Sequence, residues 1–114
     1  MIVLFKGFTG KEWVYGYPVF THSDVYIQEY SERLPELIEK DSLRMYTGID
    51  DRNGKKIFEG DTVKLNLFTK YATGVVVFVD GCFIVESEDT LLNGAKHDYL
   101  KCYTCNYACE VISL

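Results

Sequence analysis

Long hydrophobic runs are missing from this 114-residue sequence; the longest, Met1 to Phe5 and Val75 to Val79, hold five residues each. A membrane-crossing helix needs roughly twenty. The first run meets Lys6 with no basic stretch before it, so neither a spanning helix nor a secretory leader is expected. Positive charge is also scarce. Twelve Lys and Arg stand against seventeen Asp and Glu, for a net charge of −5, which leaves only a weak default attraction to phosphate backbones. Imidazole is limited to His22 and His97, and thiols to Cys82, Cys102, Cys105 and Cys109. Four cysteines are too few for a disulfide-built scaffold, and without an export signal they are expected to stay reduced. There is no G-x-G-x-x-G or Walker pattern, no internal repeat and no like-charge tail, which excludes the common phosphate-cradling loops. The expectation is a soluble, cytoplasmic protein that meets no membrane.

What is present is apolar and aromatic: 47% hydrophobic residues, 25% charged, and 15% aromatic including nine Tyr. That balance belongs to globular chains and suits strands more than long helices. Ile2 to Lys6 reads as a short strand, and Gly7 to Lys11 as a turn. From Glu12 to Phe20 the pattern has period two, with Trp13, Tyr15, Tyr17 and Val19 on one face and Glu12, Val14, Gly16 and Pro18 on the other. Pro18 cannot donate to a ladder, so its surroundings should lie at a sheet edge or beyond the paired part. Val25 to Tyr30 is a weaker strand. Between Ser31 and Leu43, Leu34, Leu37 and Ile38 recur at helical spacing with Pro35 in the first turn, which predicts one short helix.

Leu43 to Ile49 returns to strand composition. The polar loop Asp50 to Lys55 then turns through Asn53-Gly54 into Ile57-Phe58. After the tight turn Glu59-Gly60-Asp61, Val63, Leu65 and Leu67 alternate with polar residues. Gly74 opens the run Val75 to Val79, and Asp80-Gly81 joins it to Cys82 to Glu86, the strongest hairpin signal in the chain. Asp89 to Asp98 is a loop, and Tyr99 to Leu114 a closing strand. The fold expected is α+β and mostly β. A β-rich lobe with one short helix occupies residues 1–43, and a small barrel or bent sheet occupies 44–114.

Chemistry is sparse in this pattern. Cys102, Cys105 and Cys109, with Cys82 or His97 as a fourth ligand, have spacing that a tetrahedral zinc could use. A strand from Leu100 to Ile112 would instead put Cys105 and Cys109 on one face and Cys102 on the other, which favours free thiols. His22 and His97 lie in polar turns outside any nucleophile motif. The pairs Asp50-Asp51 and Glu86 with Glu88 read as solvated surface. Arg52, Lys55 and Lys56 cluster in one loop, but Asp50, Asp51, Glu59 and Asp61 flank them, which argues against nucleic acid. No catalytic residue, metal ligand or cofactor site is assigned. Trp13, Tyr15 and Tyr17, followed by Tyr26 and Tyr30, are either the core of the N-terminal sheet or a surface for self-association or a partner.

Several stretches together resemble the YopX family of phage and prophage proteins. Lys6-Gly7 with Trp13 to Gly16 begins the match. The specific part is Tyr46 to Asp61, of pattern Y-T-G-x-x-D-x-N-G-K-x-I-x-E-G-D; Gly74 to Phe78, Asp80-Gly81 and Cys109-Glu110-Val111-Ile112 complete it. Where the family continues with Gly-Asn-Ile and a short tail, this sequence has Ser113-Leu114, and Thr21 to Leu43 carries no part of the match. The resemblance implies an SH3-like barrel in the C-terminal part and brings no catalytic residue. The function expected is a non-enzymatic, homo-oligomeric module that binds a phage or host protein, with weak nucleic-acid binding as the alternative. Each fixed residue of the signature also has a backbone use: Gly48, Gly54 and Gly60 at chain reversals, and Asp50, Asp51, Asn53 and Asp61 as acceptors for nearby N–H groups.

Overall fold

Period-two alternation and glycine-marked turns become eleven strands among the described residues, 4–29, 34–104 and 109–112 of a computed structural model. The protein is mostly β, with antiparallel pairing in both sheets. It divides into two units, Met1–Tyr46 and Thr47–Leu114. No helix among the described residues is long and apolar enough to cross a membrane.

In the first unit, β1 (Phe5–Phe8), β2 (Trp13–Phe20), β3 (Val25–Gln28) and β4 (Glu36–Ile38) run in the order β4-β3-β2-β1. The start of β5 (Arg44–Asp50) lies on the other side of β1, through Phe5 opposite Met45 and Lys6 opposite Arg44. The turn into β2 closes at Thr9, whose N–H donates to the Glu12 carbonyl (3.0 Å) while its hydroxyl accepts from the N–H groups of Lys11 and Glu12. Pro18 sits opposite Ile27, past Gly16, where the β1 register ends among the described residues. Among the described residues Pro18 is therefore paired through β3 alone. Val14, Ile27 and Ile38 are buried beneath the sheet with Phe5, Val25 and Leu43 packed around them.

The helix expected from Ser31 to Leu43 does not form over the described part of that segment; Ser31 to Arg33 lie outside the described residues. Glu36–Ile38 pairs with β3 as β4, and Lys40–Ser42 makes one 3-10 turn. Leu34 is 87% exposed and Leu37 53%, so of the three residues that suggested an apolar stripe only Ile38 is buried. Three apolar residues cannot sustain a lone helix, whereas an edge strand satisfies its backbone on β3. Ser42 then fastens the turn: its hydroxyl donates to the Glu39 carbonyl (2.6 Å) and accepts from the Phe8 N–H (2.8 Å).

The second unit holds β6 (Lys56–Phe58), β7 (Thr62–Asn66), β8 (Tyr71–Val79), β9 (Cys82–Ser87), β10 (His97–Tyr99), the one-turn helix α1 (Lys101–Thr104) and β11 (Cys109–Val111). Five of these strands form a sheet of order β10-β9-β8-β7-β11. The sheet is open, with β10 and β11 at its edges. Asp80 and Gly81 take φ of 49° and 80°, the left-handed pair that a two-residue hairpin requires. β8 begins at Tyr71, ahead of the Gly74 start expected from sequence, because Tyr71, Ala72 and Thr73 continue the register with Asn66, Leu65 and Lys64. Val63, Leu65, Val76, Val85 and Leu100 form the centre of the core.

The closing strand expected from Tyr99 onward is interrupted. Tyr103 is fully buried; its hydroxyl donates to Asp98 Oδ2 (2.8 Å) and accepts from the Leu92 N–H (3.2 Å). Holding that ring inward winds Lys101–Thr104 into α1. Among the described residues, pairing with β7 runs from Cys109, opposite Leu65, to Val111, opposite Val63.

Candidate functional site

The alternation in β2 has the opposite sense from a buried aromatic row. Val14 and Gly16 face the core, and Trp13, Tyr15 and Tyr17 are 40%, 47% and 42% exposed. Glycine decides this. A Cβ on Gly16 would clash with the Gln28 carbonyl oxygen, and one on Gly7 with the Ile38 side chain, so the glycine-bearing side of β1 and β2 is where other groups approach closely. The large rings take the other side.

Cross-strand register extends that aromatic face. Trp13 stands opposite Phe8, Tyr15 opposite Lys6, and Lys6 opposite Arg44 on β5. On the β3 side Tyr17 meets Gln28, Val19 meets Tyr26, and Tyr26 meets Leu37. The Phe8 and Trp13 rings pack at 5.4 Å and 55°, and Lys6 Nζ lies 4.6 Å above the Trp13 ring, an electrostatically favourable position over the π cloud. Arg44 is steadied by its Nη1, which donates to the carbonyls of Asp41 (2.6 Å) and Leu43 (3.1 Å). None of these paired positions is Asp or Glu. The result is a held, partly exposed surface of rings, aliphatic groups and two cations, the composition from which contact hot spots are built.

The signature stretch has a structural task. Asp51 is buried, 7% exposed. Its Oδ1 accepts from the N–H groups of Asn53 (2.8 Å) and Lys55 (2.9 Å), and its Oδ2 from Val111 on β11 (2.9 Å). The Arg52 N–H adds a bond to the Cys109 carbonyl (3.0 Å). Asp61 Oδ2 accepts from the Phe58 N–H (2.8 Å), and the Thr47 hydroxyl donates to the Ile57 carbonyl (2.8 Å). Gly48, Gly54 and Gly60 have φ of 82°, 78° and 88°, where side chains are strained. Asp50, Arg52, Lys55 and Lys56 are exposed around this frame.

Among the described residues, the cysteines weighed as zinc ligands are not gathered. Cys102 is exposed on α1, Cys109 is buried on β11, and Cys105 lies outside the described residues. Among the described residues no three His, Cys, Asp or Glu side chains converge on a metal position. Burial, and then the Asp51 charge, push the Cys109 thiol up to about 12, leaving it protonated and inert near neutrality. Cys82 and Cys102 share an apolar cavity of about 470 Å³ with Ile49, Phe83, Tyr99 and Lys101. His22 is exposed in its turn, and His97 is exposed on β10 opposite Glu86. Sequence reasoning did not find the Tyr103–Asp98 clasp; an isolated tyrosine in a polar, cysteine-containing stretch carries no periodic signal of burial.

Compared with curated proteins, the chain matches none. The family model described as YopX protein matches residues 12–113, a span that takes in both the aromatic strand and the signature loop. The chain therefore belongs to the YopX family.

Proposed function

We propose that this chain is a non-enzymatic protein-interaction module whose working surface is the aromatic face of β2 and its neighbours. The observation that carries the reading is the exposure of Trp13, Tyr15 and Tyr17 on a sheet whose other side already holds a packed core. Rings left outside in that arrangement do not serve the core, and Tyr, Trp and Arg are the side chains from which binding energy is most often drawn. The family resemblance supports a phage or prophage protein acting in the bacterial cytoplasm on a phage or host protein. The open five-stranded sheet, with its short strands and tight turns, supports an SH3-like C-terminal half that serves as scaffold. A second reading has one observation in its favour: Lys6 and Arg44 among exposed rings could also stack and neutralise a single nucleic-acid strand.

Affinity capture from bacterial lysate, with wild type and Trp13→Ala and with or without nuclease, separates the two. Partners that survive nuclease and disappear with Trp13→Ala are expected. Loss of every partner on nuclease treatment favours nucleic acid, and partners indifferent to Trp13 overturn the choice of face.

A further inference from the structure

Resting on that reading, we propose that the occupant of the aromatic face is a second copy of this chain, bound head to tail through an acidic surface of its C-terminal sheet. The paired positions of the face include Lys6 and Arg44 and no carboxylate, while the chain as a whole carries −5. The face is thus a cationic patch on an acidic protein, and other surfaces of the same protein are complementary to it. In a symmetric face-to-face dimer neither Lys6 nor Arg44 would meet a carboxylate among the paired positions of the other face, so both cations would lose water with no opposite charge in return. The contact that charge permits is heterologous.

The complementary surface is found on β8 and β9. A hollow of about 370 Å³ there is lined by Val75, Glu86 and Glu88 together with Thr62, Thr73 and Ser87. Register sets Val75, 41% exposed, directly between Thr62 and Glu86, and both carboxylates are exposed. Val75 beside the two carboxylates, with Lys64 held over the Tyr71 ring, offers an indole an apolar contact and an ammonium a counter-charge, which is what Trp13 and Lys6 require. Because the two surfaces differ, each copy keeps one of each to offer, and the assembly closes into a ring or extends rather than stopping at a pair.

The test is a charge swap read by light scattering. Wild type should show a mass above the dimer, or one rising with concentration, and should dissociate as salt is added. Lys6→Glu/Arg44→Glu and Glu86→Lys/Glu88→Lys should each fall toward monomer, and an equal mixture of the two should re-associate, which misfolded variants could not do. The milder Lys6→Gln should weaken association on the order of tenfold. A monomeric wild type at all concentrations, a dimer that survives both reversals, or variants that fail to rescue each other would overturn head-to-tail assembly. A monomer that still captures nuclease-resistant partners through Trp13 would overturn it as well while leaving the docking reading intact.

Discussion

Asp51 shows how much one carboxylate can hold. Three backbone donors from two separate stretches of chain converge on its two oxygens, so its removal strands N–H groups that are partly out of water. Asp51→Ala should lower unfolding free energy by on the order of 3 kcal/mol. Asp51→Asn should not restore it, because an amide has one acceptor oxygen and would turn its NH₂ toward a donor; denaturant unfolding of both variants checks this. At Cys109, burial works through protonation. The folded thiol keeps its proton to about 12 instead of the ordinary 9.0, and Tyr103, pushed from 10.0 to about 12 chiefly by burial and then by its bond to Asp98, behaves likewise. Stability tied to these neutral groups is therefore complete below about pH 9 and is lost as the pH climbs toward 12. Denaturation midpoints measured across that range should fall, less steeply in Cys109→Ala. At mildly alkaline pH, a thiol reagent should modify Cys82 and Cys102, both exposed, well before Cys109.

At the scale of elements, β2 carries the account. Gly16 lets β3 approach where a Cβ would meet the Gln28 carbonyl oxygen and the Glu29 backbone, so Gly16→Ala should cost roughly 3 kcal/mol. It should also loosen protection of the β2–β3 amides in hydrogen exchange. Elements set by local chemistry were readable in advance: the Asp80-Gly81 hairpin, the Gly60 turn and the Asp51 loop all follow from residues a few positions apart. The choice of face in β2 was not readable. Alternation places Trp13, Tyr15 and Tyr17 together, but which side is buried depends on what packs against Gly7 and Gly16 from distant segments. The same holds for β4. Leu37 and Ile38 have helical spacing to Leu34, and only the open edge of β3 makes strand pairing the better use of that backbone. The strand expected after Tyr99 yields to α1 because Tyr103 must reach Asp98 and the Leu92 amide, two partners that no periodicity reports.

At the scale of the whole molecule, an acidic chain presents an aromatic sheet face whose named cross-strand pairs hold Lys6 and Arg44, and the proposed function and assembly both depend on that face meeting another surface. Trp13 is the single tryptophan, so emission excited selectively at tryptophan, beyond the tyrosine absorption band, reports this face alone. Acrylamide quenching of Trp13, measured from dilute to concentrated protein and again with captured partner, tests the claim most directly. The account predicts a blue-shifted emission and a clear loss of quenching once a complex forms. A Trp13 that stays equally quenchable in dilute, assembled and partner-bound protein would contradict it.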